Sequence, residues 1–190
     1  MNLLHIDSSA LGTHSVSRPL TREIVAKLRK TNTALHVEYR DLAADPLPHW
    51  QPVVDASREP GATGQAVLDQ FMKSDLVIIG APMYNFSIPS QLKAWIDAIA
   101  VPGQTFRYGA NGPQGLAGGK RVIVVSSRGG IYSEGAAKAM DFQETYLRTF
   151  FGFIGVTDVE FIRAEGVGKN KEAAISRAHE AIHGSLRKAA

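Results

Sequence analysis

Apolar positions along the chain follow two alternating rhythms. Short runs of consecutive apolar residues, "LLHID" (3–7), "DLVIIG" (75–80) and "RVIVVSS" (121–127), read as strands. The last two are continuous enough to be buried on both faces. "ALHVEYR" (34–40) and "TDVEFIRAEG" (157–166) read as two more. Between the strands the spacing lengthens to the helical period. Val16, Leu20, Ile24 and Leu28 predict a helix from about Val16 to Lys30, with Pro19 tolerated in its first turn. A short helix covers about 64–73, and the next carries Leu92, Trp95, Ile96 and Ile99 on one face until "VPG" stops it. Met140, Leu147, Phe150, Phe151 and Ile154 mark a fourth helix, and Ile175, Ala178, Ile182 and Leu186 a stripe on the last.

Two segments break the rhythm. Residues 42–64 carry Pro46, Pro48, Pro52, Pro60 and Gly61, and a loop of that length inside a domain is often functional. "QTFRYGANGPQG" (104–115) reads as an excursion with tight turns at Asn111-Gly112 and Pro113. Strand and helix otherwise alternate through the chain. Right-handed crossovers then predict a three-layer, doubly wound α/β fold with a parallel five-stranded sheet, flavodoxin-like, in the order 2-1-3-4-5. No repeat or linker appears, so residues 1–190 are expected to form a single domain.

Composition narrows the chemistry. Cysteine is absent, which excludes disulfides and thiolate metal sites and makes the cytoplasm the expected location. No run approaches the ~20 apolar residues of a membrane span. The chain enters "LLHID" at once, without a basic region or small-residue cleavage site, so a secretory signal is not expected. The net charge of +3 suits anionic small molecules, and "KLRK" (27–30) and "LRK" (186–188) sit where they complement helix dipoles, so neither nucleic acid nor membrane is expected as a partner.

In an open parallel sheet, ligands bind at the carboxyl ends of the strands beside the switch in strand order. The loop after strand one, "DSSALGTHSVSRPLT", sets Ser8, Ser9, Thr13, Ser15 and Ser17 before a helix N-terminus. Free N–H groups and hydroxyls there suit a phosphate, while helix capping by Ser15 or Ser17 would need only one hydroxyl. No G-x-G-x-x-G follows, and "GLAGGKR" has the wrong spacing for a Walker loop, which favours a single phosphomonoester. After strand three, "APMYNFSIPSQLKAW" crowds Met83, Tyr84, Asn85 and Phe86 at the strand exit. Such a set suits a flat heteroaromatic ring with polar edges, or it packs against a helix or a second subunit. After strand four, Ser127, Arg128, Gly129 and Gly130 form either a plain turn or a donor edge for the pyrimidine side of a flavin.

One motif points elsewhere. "HEAIH" (179–183) has the H-E-x-x-H spacing of zinc proteases, but no third ligand can follow in the usual position, so surface histidines and no metal are expected. A phosphoacceptor receiver would need an acidic pair after strand one, where Asp7 stands alone.

"SALGTHSVSRPLT", "APMYNFSIPSQLKAWID", "TFRYGANGPQGL", "SSRGG" and "FFGFIGVTDVEFIRAEG" together resemble the FMN-dependent NADH:azoreductase family of the flavodoxin-like quinone reductases, in family order through about residue 166. The resemblance implies bound FMN, NADH or NADPH as co-substrate, and ping-pong transfer of two electrons to a quinone or azo acceptor. It implies that Ser9, Ser15, Val16 and Ser17 hold the phosphate and ribityl chain, with Val16 in contact through its backbone only. Pro82, Met83, Tyr84, Asn85 and Phe86 would cradle the ring, and Ser127, Arg128, Gly129 and Gly130 would meet its pyrimidine edge. Tyr108 and Phe153 match family aromatics near the exposed face of the flavin, in the substrate pocket, or else serve as interface packing. A homodimer with active sites at its interface is implied, and segment 42–64, shorter than in many members, leaves acceptor preference open. No side chain is expected to act as an obligatory acid or base. The alternative is a flavodoxin-type electron carrier, although such carriers are typically acidic.

Overall fold

The computed structural model describes residues 1–49 and 62–187. Pro52, Pro60 and Gly61 of the irregular segment, and the side chain of Leu186, lie outside the described residues. In chain order the elements are β1 (Asn2–Asp7), α1 (Ser17–Thr31), β2 (His36–Asp41), α2 (Ala62–Lys73), β3 (Leu76–Pro82) and α3 (Ser90–Ile99). A hairpin of β4 (Phe106–Gly109) and β5 (Gly112–Gly115) follows, then β6 (Arg121–Arg128), α4 (Phe142–Phe153), β7 (Asp158–Glu165) and α5 (Lys171–Arg187).

Five strands pair in parallel in the order β2-β1-β3-β6-β7. The expected order counted only the sheet strands, and the hairpin shifts the labels of the last two. Both faces of the central strands β1, β3 and β6 are buried, as the unbroken apolar runs require. Leu3, Leu76, Ile78, Ile123 and Val125 point to one side, where Leu20 and Ile24 of α1 and Ala178 and Ile182 of α5 cover them. Leu4, Ile6, Val77, Ile79, Val122 and Val124 point to the other, against Phe71 of α2, Trp95 of α3 and Phe151 of α4. Trp95 is fully buried and meets the edge of Phe71 at 5.7 Å, which joins α3 to α2.

Two local readings of the sequence need correction. Segment 104–115 is an antiparallel ribbon, Phe106 paired with Gly115 and Gly109 with Gly112. Pro113 lies within β5, tolerated because a two-stranded ribbon has a free edge. Met140 is outside α4, in a 3-10 turn over Ala136–Met140, and is exposed. Asp141 starts the helix instead, its carboxylate accepting from the N–H groups of Gln143 and Glu144, both at 3.0 Å.

Candidate functional site

The chain leaves β1 for β2 on one side and returns to β3 on the other, so the switch in strand order opens between β1 and β3. The loop after β1 is tied there to β3. Ser8 donates to the Gly80 carbonyl from its N–H at 3.1 Å and from its hydroxyl at 2.7 Å. A Cβ on Gly80 would stand 2.6 Å from Asp7 Oδ1 of β1 and 3.3 Å from Thr21 Cγ2 of α1, so the Asp7 carboxylate, with α1 behind it, occupies the space a side chain would need. Ser9, Ser15 and Ser17 are all buried in the loop. Ser15 Oγ and Ser17 Oγ meet at 3.3 Å, and Ser15 Oγ accepts from Arg18 N–H at 3.3 Å, a long cap. Val16 occupies the residue before α1 and brings no capping side chain.

Arg18 fixes this loop to the end of β2. Its guanidinium donates to the Ser9 carbonyl at 2.9 Å and grips both Asp41 oxygens, at 2.6 and 2.7 Å. The hydrogen bond from Arg18 holds the Asp41 carboxyl below its ordinary value.

The crowded exit of β3 is a tight turn. Tyr84 and Ser87 exchange backbone hydrogen bonds at 3.0 and 3.1 Å, and both residues between them, Asn85 at φ 48° and Phe86 at φ 70°, are left-handed. Asparagine tolerates that region; a bulky phenylalanine there is an outlier of the kind that collects at functional sites. The turn leaves Phe86 43% exposed at the strand end rather than folded under a helix. Tyr84 instead reaches back, its hydroxyl accepting from Ala10 N–H at 3.1 Å and meeting Ser9 Oγ at 3.4 Å.

Met83 N–H donates to the Ser127 carbonyl at 2.8 Å, so the exits of β3 and β6 form one rim. The Gly129 and Gly130 carbonyls accept from the N–H groups of Gly168 and Gly166 at 3.0 and 2.9 Å. What this turn offers a ligand is therefore its N–H groups. Phe86 meets Tyr132 edge-on at 6.1 Å across the rim.

Arg128 departs from the sequence expectation. Its side chain is fully buried and turned into the protein, donating to Asp141 at 2.9 Å, Glu165 at 3.0 Å, Glu144 at 2.7 Å and Gln143 at 3.1 Å. It cannot lend its guanidinium to a ring edge. It anchors the rim: Gln143 in turn donates to the Ala81 carbonyl at 3.0 Å, and Glu165 accepts from the Tyr132 and Ser133 N–H groups at 2.9 and 3.1 Å. Burial works to raise the Glu165 carboxyl, but the Ser133 hydroxyl, Tyr132 N–H and Arg128 together hold it below its ordinary value.

Tyr108 and Phe153 come together, though through Phe106, which lies 5.6 Å from Tyr108 and 4.5 Å from Phe153. Among the described residues no aromatic pair links this group to Tyr84, Phe86 or Tyr132. His179 and His183 face α1, His179 against Glu23 and His183 against Lys27 at 3.0 Å.

The residues present suit FMN. The first-turn N–H groups of a helix lack intrahelical acceptors, and α1 opens at the buried Ser15 and Ser17, with Ser9 buried earlier in the loop and no capping side chain at Val16. An aromatic turn lies beside that loop at the exit of β3, and a diglycine turn lies beyond it at the exit of β6. Arg18, Asp41, Tyr132 and Glu165 were missed as supports, because nothing in their sequence spacing announces contacts 23 to 37 residues away.

Comparison with known proteins gives the same outline. Residues 1–186 match the family described as having a flavodoxin-like fold. A Methylocella silvestris protein named FMN-dependent NADH:quinone oxidoreductase is 52% identical, over 96% of this chain and 97% of its own. A Sinorhizobium fredii protein of the same name is 53% identical, over 96% and 95%. Among solved structures, azoreductase from Bacillus anthracis superposes with a TM-score of 0.86 at 26% identity, covering 100% of this chain and 98% of its own. The chain belongs to the flavodoxin-like fold family, alongside relatives named FMN-dependent NADH:quinone oxidoreductase.

Proposed function

We propose that the chain is an FMN-dependent oxidoreductase that carries two electrons from NADH, or NADPH, to quinones and aromatic azo compounds. One observation carries the reading: three strand-end loops close on one crevice, Tyr84 bonded to Ala10 at 3.1 Å and Met83 to Ser127 at 2.8 Å. Relatives about half identical over nearly their whole length carry the name FMN-dependent NADH:quinone oxidoreductase, and the fold is shared with an azoreductase.

Bound FMN supplies the exchange of two electrons between nicotinamide and acceptor. The chain's residues bind and orient it. Hydroxyls of Ser9, Ser15 and Ser17, with the Val16 and Ser17 N–H groups, hold the phosphate and ribityl chain. Pro82, Met83, Tyr84, Asn85 and Phe86 cradle the ring. Ser127 and the N–H groups of Gly129 and Gly130 face its pyrimidine edge, and Arg128 acts only by holding that turn. Tyr108 and Phe153 belong to the acceptor side.

The molecule works as a cytoplasmic homodimer with its sites at the interface. Exposed Phe86 and Phe142 at the rim, and exposed Tyr108 on the β4–β5 hairpin, support a partner surface. The test is NADH consumption with menadione or methyl red, with and without added FMN. Turnover that depends on FMN is expected. FMN binding without reduction of either acceptor would favour an electron carrier, and full FMN retention by the Ser9→Ala, Ser15→Ala, Ser17→Ala triple variant would refute the phosphate assignment.

A further inference from the structure

A groove of about 790 Å³ lies apart from the ring-binding turns, between α1 and the outer strand pair β1–β2. It exists because the helices stop short of the sheet edge. Leu20 and Ile24 of α1 pack over β1 and β3, while β2 has no fully buried residue: Val37 is only partly buried and Tyr39 is exposed. The groove touches the site only at the Gly12–Thr13 turn and at Arg18.

Its chemistry is uneven in a useful way. One wall is a helical stripe, Arg18, Arg22, Val25 and Arg29, three guanidiniums against the single carboxylate of Asp7. Arg18 is committed to Asp41, and Arg22 bonds only the Arg18 carbonyl through Nε at 3.2 Å. Arg29 has no ion-pair partner among the described residues. Arg22 and Arg29 stand two turns apart, about 10 Å along the axis. Asp7 is spent at the floor, accepting from Thr21 at 3.0 Å and Tyr39 at 3.1 Å, with the His5 ring 3.6 Å away. The floor itself is aromatic, His5 lying 4.8 Å from the half-exposed Tyr39 ring and tilted 53° to it.

We infer that this groove binds a small planar aromatic anion, its ring on Tyr39 and Val37 and its phosphate or carboxylate on the free guanidiniums of Arg22 and Arg29. Guanidinium forks suit both oxyanions, and the volume is in the range of a small-molecule site. Binding here is independent of the electron-transfer reading.

Calorimetry on FMN-saturated protein tests it, since the hydroxyl loop is then filled. AMP and 2-naphthoate are the probes, with adenosine and inorganic phosphate as the matching ring without charge and charge without ring. One or both aromatic anions are expected to bind at one equivalent, and AMP, where it binds, roughly tenfold more tightly than adenosine or inorganic phosphate. Heat from AMP alone identifies a phosphate site, and from 2-naphthoate alone a carboxylate site. The double variant Arg22→Glu, Arg29→Glu, altered only at exposed positions, should weaken binding at least about tenfold and leave flavin retention and menadione turnover unchanged. No heat from either anion, binding indifferent to the double variant, or release of FMN by the probe would each overturn the site. A protein that never retains flavin would refute the function proposed above, yet the groove could still be titrated.

Discussion

Asn85 and Phe86 carry the ring turn in a conformation that side chains other than glycine adopt rarely. The Tyr84–Ser87 bonds and the Phe142 N–H, which donates to the Phe86 carbonyl at 3.2 Å, hold it there. Asn85→Val sets a β-branched residue at positive φ and should cost about 1–2 kcal/mol. Urea unfolding is the check: a lower midpoint with an unchanged slope is expected, whereas an unchanged midpoint would mean the turn adapts freely. Asp41 makes a second residue-level case, one that depends on pH. Its carboxyl is held below the ordinary 3.8 by Arg18, so the pair's stabilisation is fully present above that value and fades as pH falls through the lowered one. The stability gap between the wild type and Asp41→Asn should thus be constant at neutral pH and close in acid. A gap that does not narrow at all as pH falls below 3.8 would assign the effect to packing.

At the scale of elements, Arg128 binds β6, β7 and the start of α4 into one buried ionic unit. Arg128→Met would leave three carboxylates facing a buried cavity, a loss of about 3–5 kcal/mol. Arg128→Lys keeps the charge but not the fork, and it should retain more stability while still loosening the 129–133 turn. Lower FMN retention in the lysine variant, measured by fluorescence of released flavin, is the expected sign of a supporting role. This unit was not legible beforehand. "SSRGG" suggests a ligand edge, and only the fold shows Asp141, Glu144 and Glu165 converging on its arginine. Strands and helices were readable because their apolar period is their cause: Val77 and Ile78 face opposite cores, and both must be apolar. The β4–β5 ribbon was not, since glycine, proline and asparagine imitate a plain loop. Its docking depends on backbone contact, and a Cβ on Gly115 would stand 2.1 Å from Gly155 N. Gly115→Ala should therefore lose about 1–3 kcal/mol and raise the KM for menadione more than it lowers FMN retention. Equal loss of both would place Tyr108 in no special relation to the acceptor.

Across the whole molecule, the crevice is formed by segments that the sequence keeps far apart. Ser9, Tyr84 and Ser127 become neighbours only when β1, β3 and β6 pair in register, Asp7 beside Gly80 and Pro82 beside Ser127. The unfolded chain therefore has no pre-formed site, and a ligand bound there stabilises the native state alone. FMN at a hundred times its dissociation constant should add about 2.7 kcal/mol. For a chain of this size that is a rise of roughly 5–10 °C in the melting temperature. Riboflavin, lacking the phosphate, should give a smaller shift at equal concentration if the α1 loop supplies the affinity assigned to it. The triple serine variant should bring the FMN and riboflavin shifts together. If the two shifts already coincide in the wild type, the three buried hydroxyls serve the start of α1 and the ring turn alone accounts for flavin binding.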